Sequence, residues 1–301
     1  MDDFPIDEER WPTKVEIEEL LKEIVGTRCR LTGISALRKR SLFLETADQG
    51  ARFRFAAHKQ RSNNTLRNLP LSEEAAVLTY LATQLPGRSI RPLYFTPSLG
   101  YTKQPFLITE WREGTLLADL ISLKEKPEEI RCILERELCV FHQAGYMSEP
   151  PKLSRVVLLD DFVQRARSWD PNRLQVGTER WVRFLSSFEQ LRHSIPMTLL
   201  HGDAHAYNLL HDGSDHFWID LEYAVIGPPE LDHARVLALL AVQLNHSLDI
   251  GSAETSLQLA FNVFVSAGLL QTAGPNTSRK AIEALQTMCE QSLMLLYSTI
   301  D

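Results

Sequence analysis

The sequence predicts an α+β protein with two lobes, a small N-terminal lobe built on an antiparallel sheet and a larger, mainly helical C-terminal lobe. Apolar residues first recur at helical intervals, then alternate as in strands, and beyond residue 112 recur mainly at helical intervals again. The chain of 301 residues is long enough for two hydrophobic cores. We therefore expect an N-terminal lobe over residues 1–112 and a C-terminal lobe over residues 113–301.

The N-terminal lobe is expected to contain its elements in the order helix, three strands, helix and two strands. Apolar residues at helical intervals predict helices over residues 13–25 and 72–84. Alternating or continuous apolar residues predict the strands, which are expected over residues 29–32, 41–46, 52–56, 90–96 and 105–111. Glycine and polar residues between the first three strands predict turns at residues 33–35 and 48–50.

The C-terminal lobe is expected to be mainly helical. Periodicity predicts a helix over residues 131–144 that stops at Gly145, and further helices over residues 158–170, 177–194, 231–243, 254–270 and 278–299. Residues 209–219 do not follow this helical pattern. Apolar residues on both sides of an Asp-Gly turn predict a short hairpin there. Such a hairpin would bring Asn208 and Asp220, at its two ends, side by side.

Composition and charge restrict the function classes. The net charge of −7 argues against general nucleic-acid binding, which needs clustered basic surface. No apolar run approaches the ~20 residues that span a bilayer, and the acidic start lacks the features of a signal peptide. The four cysteines include no Cys-x-x-Cys pair, so neither a zinc site nor a disulfide framework is indicated. We expect a cytoplasmic protein with no nucleic-acid and no membrane partner.

The most informative segment runs from His201 to Asn208 and reads His-Gly-Asp-Ala-His-Ala-Tyr-Asn, with Asp220 twelve residues further on. A metal-dependent phosphoryl transferase needs this set of groups. One carboxylate would accept the proton of an attacking hydroxyl. The Asn208 amide oxygen and the Asp220 carboxylate are hard oxygen ligands, which suit Mg²⁺ on nucleotide phosphates.

Three stretches together resemble the aminoglycoside phosphotransferase family, a broad group of small-molecule kinases with the protein-kinase-like fold. They are His-Gly-Asp-x-His-x-x-Asn-x-Leu from His201, Trp-Ile-Asp-Leu-Glu from Trp218, and Gly-Pro-Pro-Glu-Leu-Asp-His-Ala from Gly227. The family often has Gly-Asp-Pro where this chain has Gly-Pro-Pro. The resemblance is strong over residues 198–236, and it implies a protein-kinase-like arrangement of the two lobes.

The resemblance also implies roles for individual residues. Asp203 would be the catalytic base, and Asn208 and Asp220 would be the magnesium ligands. His201 would belong to the catalytic loop, where it positions the backbone more plausibly than it transfers protons. Asp232 would brace that loop, and it would also suit the helix dipole at a helix N-terminus. The implied reaction moves the γ-phosphoryl group of ATP or GTP to a hydroxyl of a small molecule.

A kinase-like site also needs a basic residue on the third strand and an acid on the following helix to hold the α and β phosphates. Glu74 matches the acid. Arg54 fits the strand alternation best as the base, and Lys59 is the alternative. The turn at Gly33 and Ser35 would cover the nucleotide with a single glycine. A solvated strand face and an ordinary turn are the competing structural explanations.

The last strand of the N-terminal lobe is expected to run into a hinge at Glu110 and Trp111. In kinase-like folds the hinge backbone binds the purine edge, so these two residues are expected to contact the nucleotide base. Because that contact is made by the backbone, the choice between ATP and GTP stays open. The hydroxyl acceptor is expected between the helices of residues 115–195 and the C-terminal segment.

Two other classes of protein remain open. The single-glycine turn and the missing strand lysine are typical of a non-catalytic pseudokinase or a nucleotide-binding regulatory protein. The second alternative is a metal-dependent hydrolase in which His201, Asp203 and His205 bind zinc. We favour the kinase, because no further His or Cys cluster follows at ligand spacing.

Overall fold

The computed structural model describes residues 12–25, 30–38, 41–48, 51–59, 69–99, 104–122, 125–191, 195–245, 248, 250 and 255–300. None of the helices in these residues has both the length and the apolar character that crossing a membrane would require.

The helices and strands largely follow the predicted order. The helices are, in chain order, α1 (Lys14–Val25), α2 (Leu71–Gln84), α3 (Leu117–Leu120), α4 (Pro127–Met147), α5 (Leu159–Arg167), α6 (Thr178–Leu191), α7 (Pro229–Leu244), α8 (Ser256–Thr272) and α9 (Arg279–Ile300). The strands are β1 (Arg30–Arg38), β2 (Ser41–Asp48), β3 (Ala51–Lys59), β4 (Pro92–Leu99), β5 (Gln104–Glu110), β6 (Thr115–Leu116), β7 (Thr198–Leu200), β8 (Leu209–His211), β9 (His216–Trp218) and β10 (Val225–Gly227). Each predicted helix and strand is present. The short elements β6, β7, β10 and α3 were not predicted.

The chain divides into two compact units. The first unit consists of Met1–Gly114 together with Asp212–Ala224, and the second consists of Thr115–His211 together with Val225–Asp301. The first unit therefore contains a short segment that is remote in sequence from the rest of that unit.

The first unit is built on a five-stranded sheet in the order β1-β2-β3-β5-β4, in which every neighbouring pair is antiparallel. Helix α1 begins with a capping box, because Thr13 N donates to Glu16 Oε2 at 2.8 Å and Glu16 N donates to Thr13 Oγ1 at 3.3 Å. Its apolar residues pack with the apolar residues of the sheet in one buried cluster: Ile17, Leu20, Leu21, Leu31, Leu44, Ala57, Phe106 and Ile108. This cluster is the core of the unit.

The prediction of a turn at residues 33–35 is wrong. Gly33 and Ser35 lie inside β1, where they pair with Glu45 and Phe43 of β2. The register shifts between Leu31 and Gly33, so the strand absorbs an irregularity and continues. Pairing with β2 therefore overrides the local turn preference of the Gly-Ile-Ser sequence. The second expected turn falls largely on residues 49–50, outside the described residues.

The prediction that this helix ends at Gly145 is also wrong, because α4 continues through that residue to Met147. A Cβ atom at Gly145 would lie 2.2 Å from Thr198 Oγ1 and 3.0 Å from the Leu199 backbone nitrogen. The missing side chain therefore allows α4 to approach β7 closely. Thr198 Oγ1 donates to the His142 carbonyl at 3.1 Å across the same contact.

The second unit places a small β structure among its helices. Strand β7 pairs antiparallel with β10, with Leu200 opposite Val225 and Thr198 opposite Gly227. Strand β6 pairs antiparallel with β8. Helices α6 and α8 pack through aromatic rings, with centroid distances of 4.9 Å for Phe184 and Phe264 and 4.6 Å for Phe188 and Phe264.

Strand β8, a turn and strand β9 follow one another as the Asp-Gly signal predicts. The turn belongs to the first unit, where Asp212 N donates to the Asp215 carbonyl at 3.2 Å. Asp212 Oδ1 in turn accepts from Ser214 N at 3.0 Å. Asp212 Oδ1 also accepts from Asp215 N at 3.0 Å, and the hydrogen bonds from the Asp215 and Ser214 backbone to this carboxylate hold the pKa of Asp212 at about 2.

Candidate active site

The His-Gly-Asp segment follows directly after β7, whose three residues are buried. Gly202 has φ of +77°, a left-handed conformation that strains residues with a side chain. The chain turns at this glycine, continues through a 3-10 turn at Ala206–Asn208 and enters β8. We call residues 201–208, which contain the predicted base Asp203, the catalytic loop.

Asp232 of α7 holds the start of the catalytic loop with both of its carboxylate oxygens. His201 N donates to Asp232 Oδ2 at 2.8 Å, and Gly202 N donates to Asp232 Oδ1 at 3.0 Å. His142 of α4 places its Nε2 at 3.1 Å from Asp232 Oδ2. Burial raises the pKa of Asp232, but the hydrogen bond from His142 and the charges and N–H groups around it outweigh burial, and the net shift is downward. The expected bracing role of Asp232 is confirmed.

Both oxygens of Asp203 are engaged within the second unit. Arg235 Nη2 donates to Oδ1 at 2.7 Å, and Asn208 Nδ2 donates to Oδ2 at 3.3 Å. His205 Nε2 lies 3.4 Å from Oδ2. Burial raises the pKa of Asp203, but the hydrogen bond from His205 and the charge of Arg235 outweigh it and hold this pKa at about 2. The carboxylate is therefore ionised and fixed in orientation at neutral pH.

The two loop histidines act as hydrogen-bonding groups. His201 is buried, and its Nδ1 accepts the Asp203 backbone N–H at 3.2 Å. His205 Nδ1 accepts the Tyr207 N–H at 3.2 Å, and His205 Nε2 lies 3.1 Å from Asn208 Nδ2 and 3.4 Å from Asp203 Oδ2. Among the described residues, no group of three or more His, Cys, Asp or Glu side chains is arranged to hold a metal ion. These contacts do not favour the zinc hydrolase.

Asn208 is buried, and hydrogen bonds from its side-chain nitrogen to Asp203 fix the orientation of its amide. Nδ2 donates to the Asp203 carbonyl at 3.0 Å as well as to the Asp203 carboxylate. The Oδ1 oxygen lies on the opposite branch of the amide, directed away from these two acceptors. A carbonyl-type oxygen held rigidly in this way suits a hard cation such as Mg²⁺. Asn208 therefore fits the role of a magnesium ligand.

Asp220 belongs to the first unit and has an unusual backbone. Its φ and ψ of 64° and 57° are left-handed, and it directly precedes the 3-10 turn at Leu221–Tyr223. Asp tolerates this region better than most residues with a side chain, and such conformations cluster at functional sites. The charge and backbone of Asp220 fit a metal ligand, and its placement beside Asn208 stays a prediction.

The predicted phosphate-binding residues are only partly described. Glu74 is buried in the first turns of α2. Arg54 lies opposite Glu45 and Lys59 opposite Phe106 in the register of β3, but both side chains lie outside what the structure describes. The nucleotide contacts predicted for Glu74, Arg54 and the strand residues Gly33 and Ser35 stay predictions.

Glu110, at the end of β5, has its backbone N–H engaged. It donates to the Arg91 carbonyl at 2.9 Å, and Arg91 N donates back to Glu110 Oε1 at 3.0 Å. Trp111 packs edge-on against Phe43, with the ring centroids 4.9 Å apart. These contacts fix the chain at the expected hinge, and the Glu110 N–H is directed at the Arg91 carbonyl. The nucleotide contacts predicted for both residues stay predictions.

Two residues of the catalytic loop network were missed by sequence reasoning. Arg235 follows Asp232 by three residues in a helix, and this spacing, which puts both side chains on one face, could have revealed it. His142 is separated from Asp232 by 90 residues. No pattern in the sequence connects these two.

Comparison with known proteins agrees with this architecture. The model of the APH phosphotransferase enzyme family matches residues 31–257 of the chain. Among solved structures, a candidate aminoglycoside phosphotransferase from Ralstonia eutropha superposes with a TM-score of 0.60 at 12% identity, covering 95% of this chain and 98% of that chain. A thermostable mutant of the aminoglycoside phosphotransferase APH(4)-Ia, in a ternary complex with ADP and hygromycin B, gives a TM-score of 0.56 at 12% identity, with coverage of 94% and 99%.

A curated relative is the thiamine kinase of Escherichia coli strain K12, which is 36% identical over 94 residues. That match covers 30% of this chain and 33% of the relative, so it spans about a third of the length of the curated relatives. The fold is that of the kinase-like phosphotransferases. Since the family model matches most of its length, this chain belongs to the APH phosphotransferase enzyme family. The resemblance and the predicted fold class are thereby confirmed.

Proposed function

We propose that this protein is a magnesium-dependent kinase that transfers the γ-phosphoryl group of ATP or GTP to a hydroxyl of a small molecule. The observation that carries the proposal is the Asp203 carboxylate, held by Arg235 and Asn208 in a loop that Asp232 braces. Family membership supports phosphoryl transfer, and a structural neighbour in complex with ADP and hygromycin B supports a nucleotide and a small-molecule acceptor.

Asp203 would orient the acceptor hydroxyl and take its proton. A pKa of about 2 makes the carboxylate a weak base, so proton transfer would occur late, when the hydroxyl oxygen has already lost electron density to phosphorus. Catalysis would therefore come mainly from positioning. Arg235 and His205 would keep the carboxylate ionised and correctly directed throughout.

Asn208 and Asp220 would hold the magnesium ion. When bound, the ion would neutralise the charge that develops on the phosphate oxygens. The two Asn208 Nδ2 hydrogen bonds would keep the amide oxygen directed at the ion while the neighbouring Asp203 carboxylate engages the acceptor. In this scheme Glu74 and either Arg54 or Lys59 would bind the nucleotide phosphates.

The acceptor class is a hydroxyl compound, and the comparisons suggest where to begin. Thiamine has a primary hydroxyl, and hygromycin B is a polyhydroxylated amino sugar. Both belong in a first screen because a relative is a thiamine kinase and a structural neighbour binds hygromycin B. The match to the thiamine kinase covers only 94 residues and the identity to the hygromycin-binding neighbour is 12%, so neither compound is preferred.

A nucleotide-consumption assay over a panel of hydroxyl compounds tests the proposal. ATP and GTP would each be offered with Mg²⁺ to the wild type, to Asp203→Asn and to Asp170→Asn. Asp170 is an exposed loop residue whose Oδ1 accepts the Asn172 N–H at 2.9 Å, and asparagine can keep that bond. We expect turnover in the wild type and in Asp170→Asn, and a loss of about 100-fold or more in Asp203→Asn. Equal turnover in all three proteins would remove Asp203 from the mechanism.

A nucleotide-binding protein without turnover is the second candidate. The position of Gly33 and Ser35 inside β1, instead of in a turn, favours it. A thermal-shift measurement with Mg²⁺ and ATP separates the candidates when it is combined with the turnover assay. Stabilisation by nucleotide with no turnover on any acceptor would favour this second candidate.

A further inference from the structure

A cavity of about 500 Å³ opens between α4, the start of α7 and the start of α8, entirely within the second unit. Its size lies in the range typical of small-molecule sites. On α4 the lining residues share one helix face, as their spacing of four and seven residues requires: Glu135, Cys139, His142 and Tyr146. None of the predicted phosphoryl-transfer residues lines it.

The cavity lies on the opposite side of α7 from Asp203. Glu230, His233 and Leu237 line it, and their spacing of three and four residues puts them on one face of the helix. Arg235 is two residues from His233, which is about 200° around the helix axis. That residue reaches Asp203, so one face of α7 serves the catalytic loop and the opposite face serves the cavity.

Glu230 gives the cavity an acidic group that needs a donor. Its Oε2 atom is buried, and among the residues that the structure describes no donor hydrogen-bonds to it. Burial raises the pKa of Glu230, because the charged form loses hydration, and the Glu230 backbone N–H and the charge of His142 offset this effect only in part. The other acid, Glu135, is already paired with Arg131 at 2.8 Å.

His142 also lines the cavity, where its charge lowers the pKa of both Glu230 and His233, and its Nε2 lies 3.1 Å from Asp232 Oδ2. The other titratable groups add no positive charge to the cavity wall. Burial and the neighbouring His142 lower the pKa of His233 to about 4, so its imidazole is neutral at physiological pH. Burial raises the pKa of the Cys139 thiol and of the Tyr146 hydroxyl, so both stay protonated. Leu237 and Pro229 supply apolar surface. A ligand with an apolar body and one positive group complements this lining.

We propose that this cavity binds a small organic compound with a primary ammonium group, which donates hydrogen bonds to the buried Oε2 of Glu230. A primary ammonium fits better than a quaternary one, because only the former has N–H groups for the carboxylate oxygen. The site is separate from the proposed phosphoryl-transfer site. It does not depend on the proposed function, since binding alone tests it.

Benzylamine is a suitable probe, because it is protonated at neutral pH and has an apolar ring. Benzyl alcohol is its neutral counterpart, and benzyltrimethylammonium keeps the charge but has no N–H donor. Titrations followed by calorimetry or NMR would compare the wild type with Glu230→Gln and Glu128→Gln. Glu128 is an exposed acid that follows the first proline of α4, as Glu230 follows the first proline of α7. The Glu128 variant therefore controls for loss of a first-turn charge.

We expect saturable binding of benzylamine to the wild type and to Glu128→Gln. Binding should be at least about tenfold weaker for both other probes and for Glu230→Gln, since each case removes a charge-assisted hydrogen bond. Equal binding to Glu230→Gln, equal binding of the three probes, or no binding of benzylamine would each overturn the proposal.

A second measurement uses the wild type alone and avoids any effect of a substitution on folding. Cys139 lines the cavity, whereas Cys132, seven residues earlier on α4, is exposed outside it. Benzylamine should slow alkylation of Cys139 by a maleimide at least about threefold and leave Cys132 unchanged, as measured by peptide mass spectrometry. Equal rates at Cys139 with and without saturating benzylamine would overturn the assignment of the site to this cavity.

Discussion

Arg235 of α7 donates a hydrogen bond of 2.7 Å from Nη2 to Oδ1 of Asp203 in the catalytic loop. Three residues before it, Asp232 binds two backbone N–H groups of the same loop. The first two turns of α7 thus hold both the backbone of the loop and the orientation of its carboxylate.

Replacing Arg235 with methionine should lower turnover by between about 10- and 100-fold, because Asp203 loses the contact that directs Oδ1. Methionine keeps much of the apolar length of the side chain and removes the charge. Kinase assays at saturating substrate would measure the effect. Arg173→Met, at an exposed arginine, is the control, and a variant at position 235 with wild-type turnover would contradict the prediction.

The Arg235 variant should also change the response of stability to acid. The pKa of Asp203 is lowered from its ordinary value of 3.8 to about 2, so its ionised form stabilises the fold above about pH 4. That stabilisation is lost as the pH falls through about 2. The free energy of unfolding should therefore differ between wild type and Arg235→Met at neutral pH, and the difference should shrink below pH 4. A difference that grows on acidification would contradict this sign.

Asp232→Asn should destabilise the protein by about 3 kcal/mol. The asparagine side chain has one oxygen, so it can accept from only one of the two backbone N–H groups. Its NH₂ group would then face the other backbone N–H, and two donors would oppose each other. Denaturant unfolding measures the loss. Amide hydrogen exchange should accelerate at His201 and Gly202 beyond the change at β10. Glu230→Gln, two residues earlier in the same helix, should show neither effect. Unchanged exchange at the loop would rule out the bracing role.

Gly145→Ala should destabilise the protein by about 1 to 3 kcal/mol, since the new Cβ would meet Thr198 Oγ1 at 2.2 Å. Helix propensity alone predicts the opposite sign, a gain of about 1 kcal/mol. Gly268→Ala in α8 is the matched control, because the nearest atom to its added Cβ is a Trp169 carbon at 3.4 Å. Thermal unfolding of both variants shows whether the free energy of unfolding falls or rises. A stabilised Gly145→Ala variant would contradict the prediction and would show that α4 and β7 tolerate wider spacing.

Asp220→Asn should raise the Mg²⁺ concentration for half-maximal turnover by about tenfold or more, because a charged ligand is lost. Asparagine tolerates the left-handed backbone at this position, so the fold should persist. Asp212→Asn, in the preceding turn, is the control, since an amide oxygen can still accept the Ser214 N–H. An unchanged Mg²⁺ dependence would exclude Asp220 as a ligand.

The elements and the catalytic loop could be predicted from the sequence because each depends on local information. Periodicity defines α1 and α2, and the Asp-Gly sequence defines the turn between β8 and β9. The failures involve partners that are distant in sequence. Gly33 continues a strand because β2 pairs with it, and Gly145 continues a helix because β7 lies against it. His142 likewise needs Asp232, which only the fold brings near.

The assignment of Asp212–Ala224 to the first unit means that the chain passes between the units three times. A fragment ending at Gly114 would lack Phe217, whose ring lies 5.0 Å from the Arg112 guanidinium, and the Glu222 carbonyl, which accepts the Leu69 N–H at 2.7 Å. Neither unit is therefore encoded by one continuous gene segment. Any recombination that exchanges the sheet of one relative for that of another must also carry this later insert.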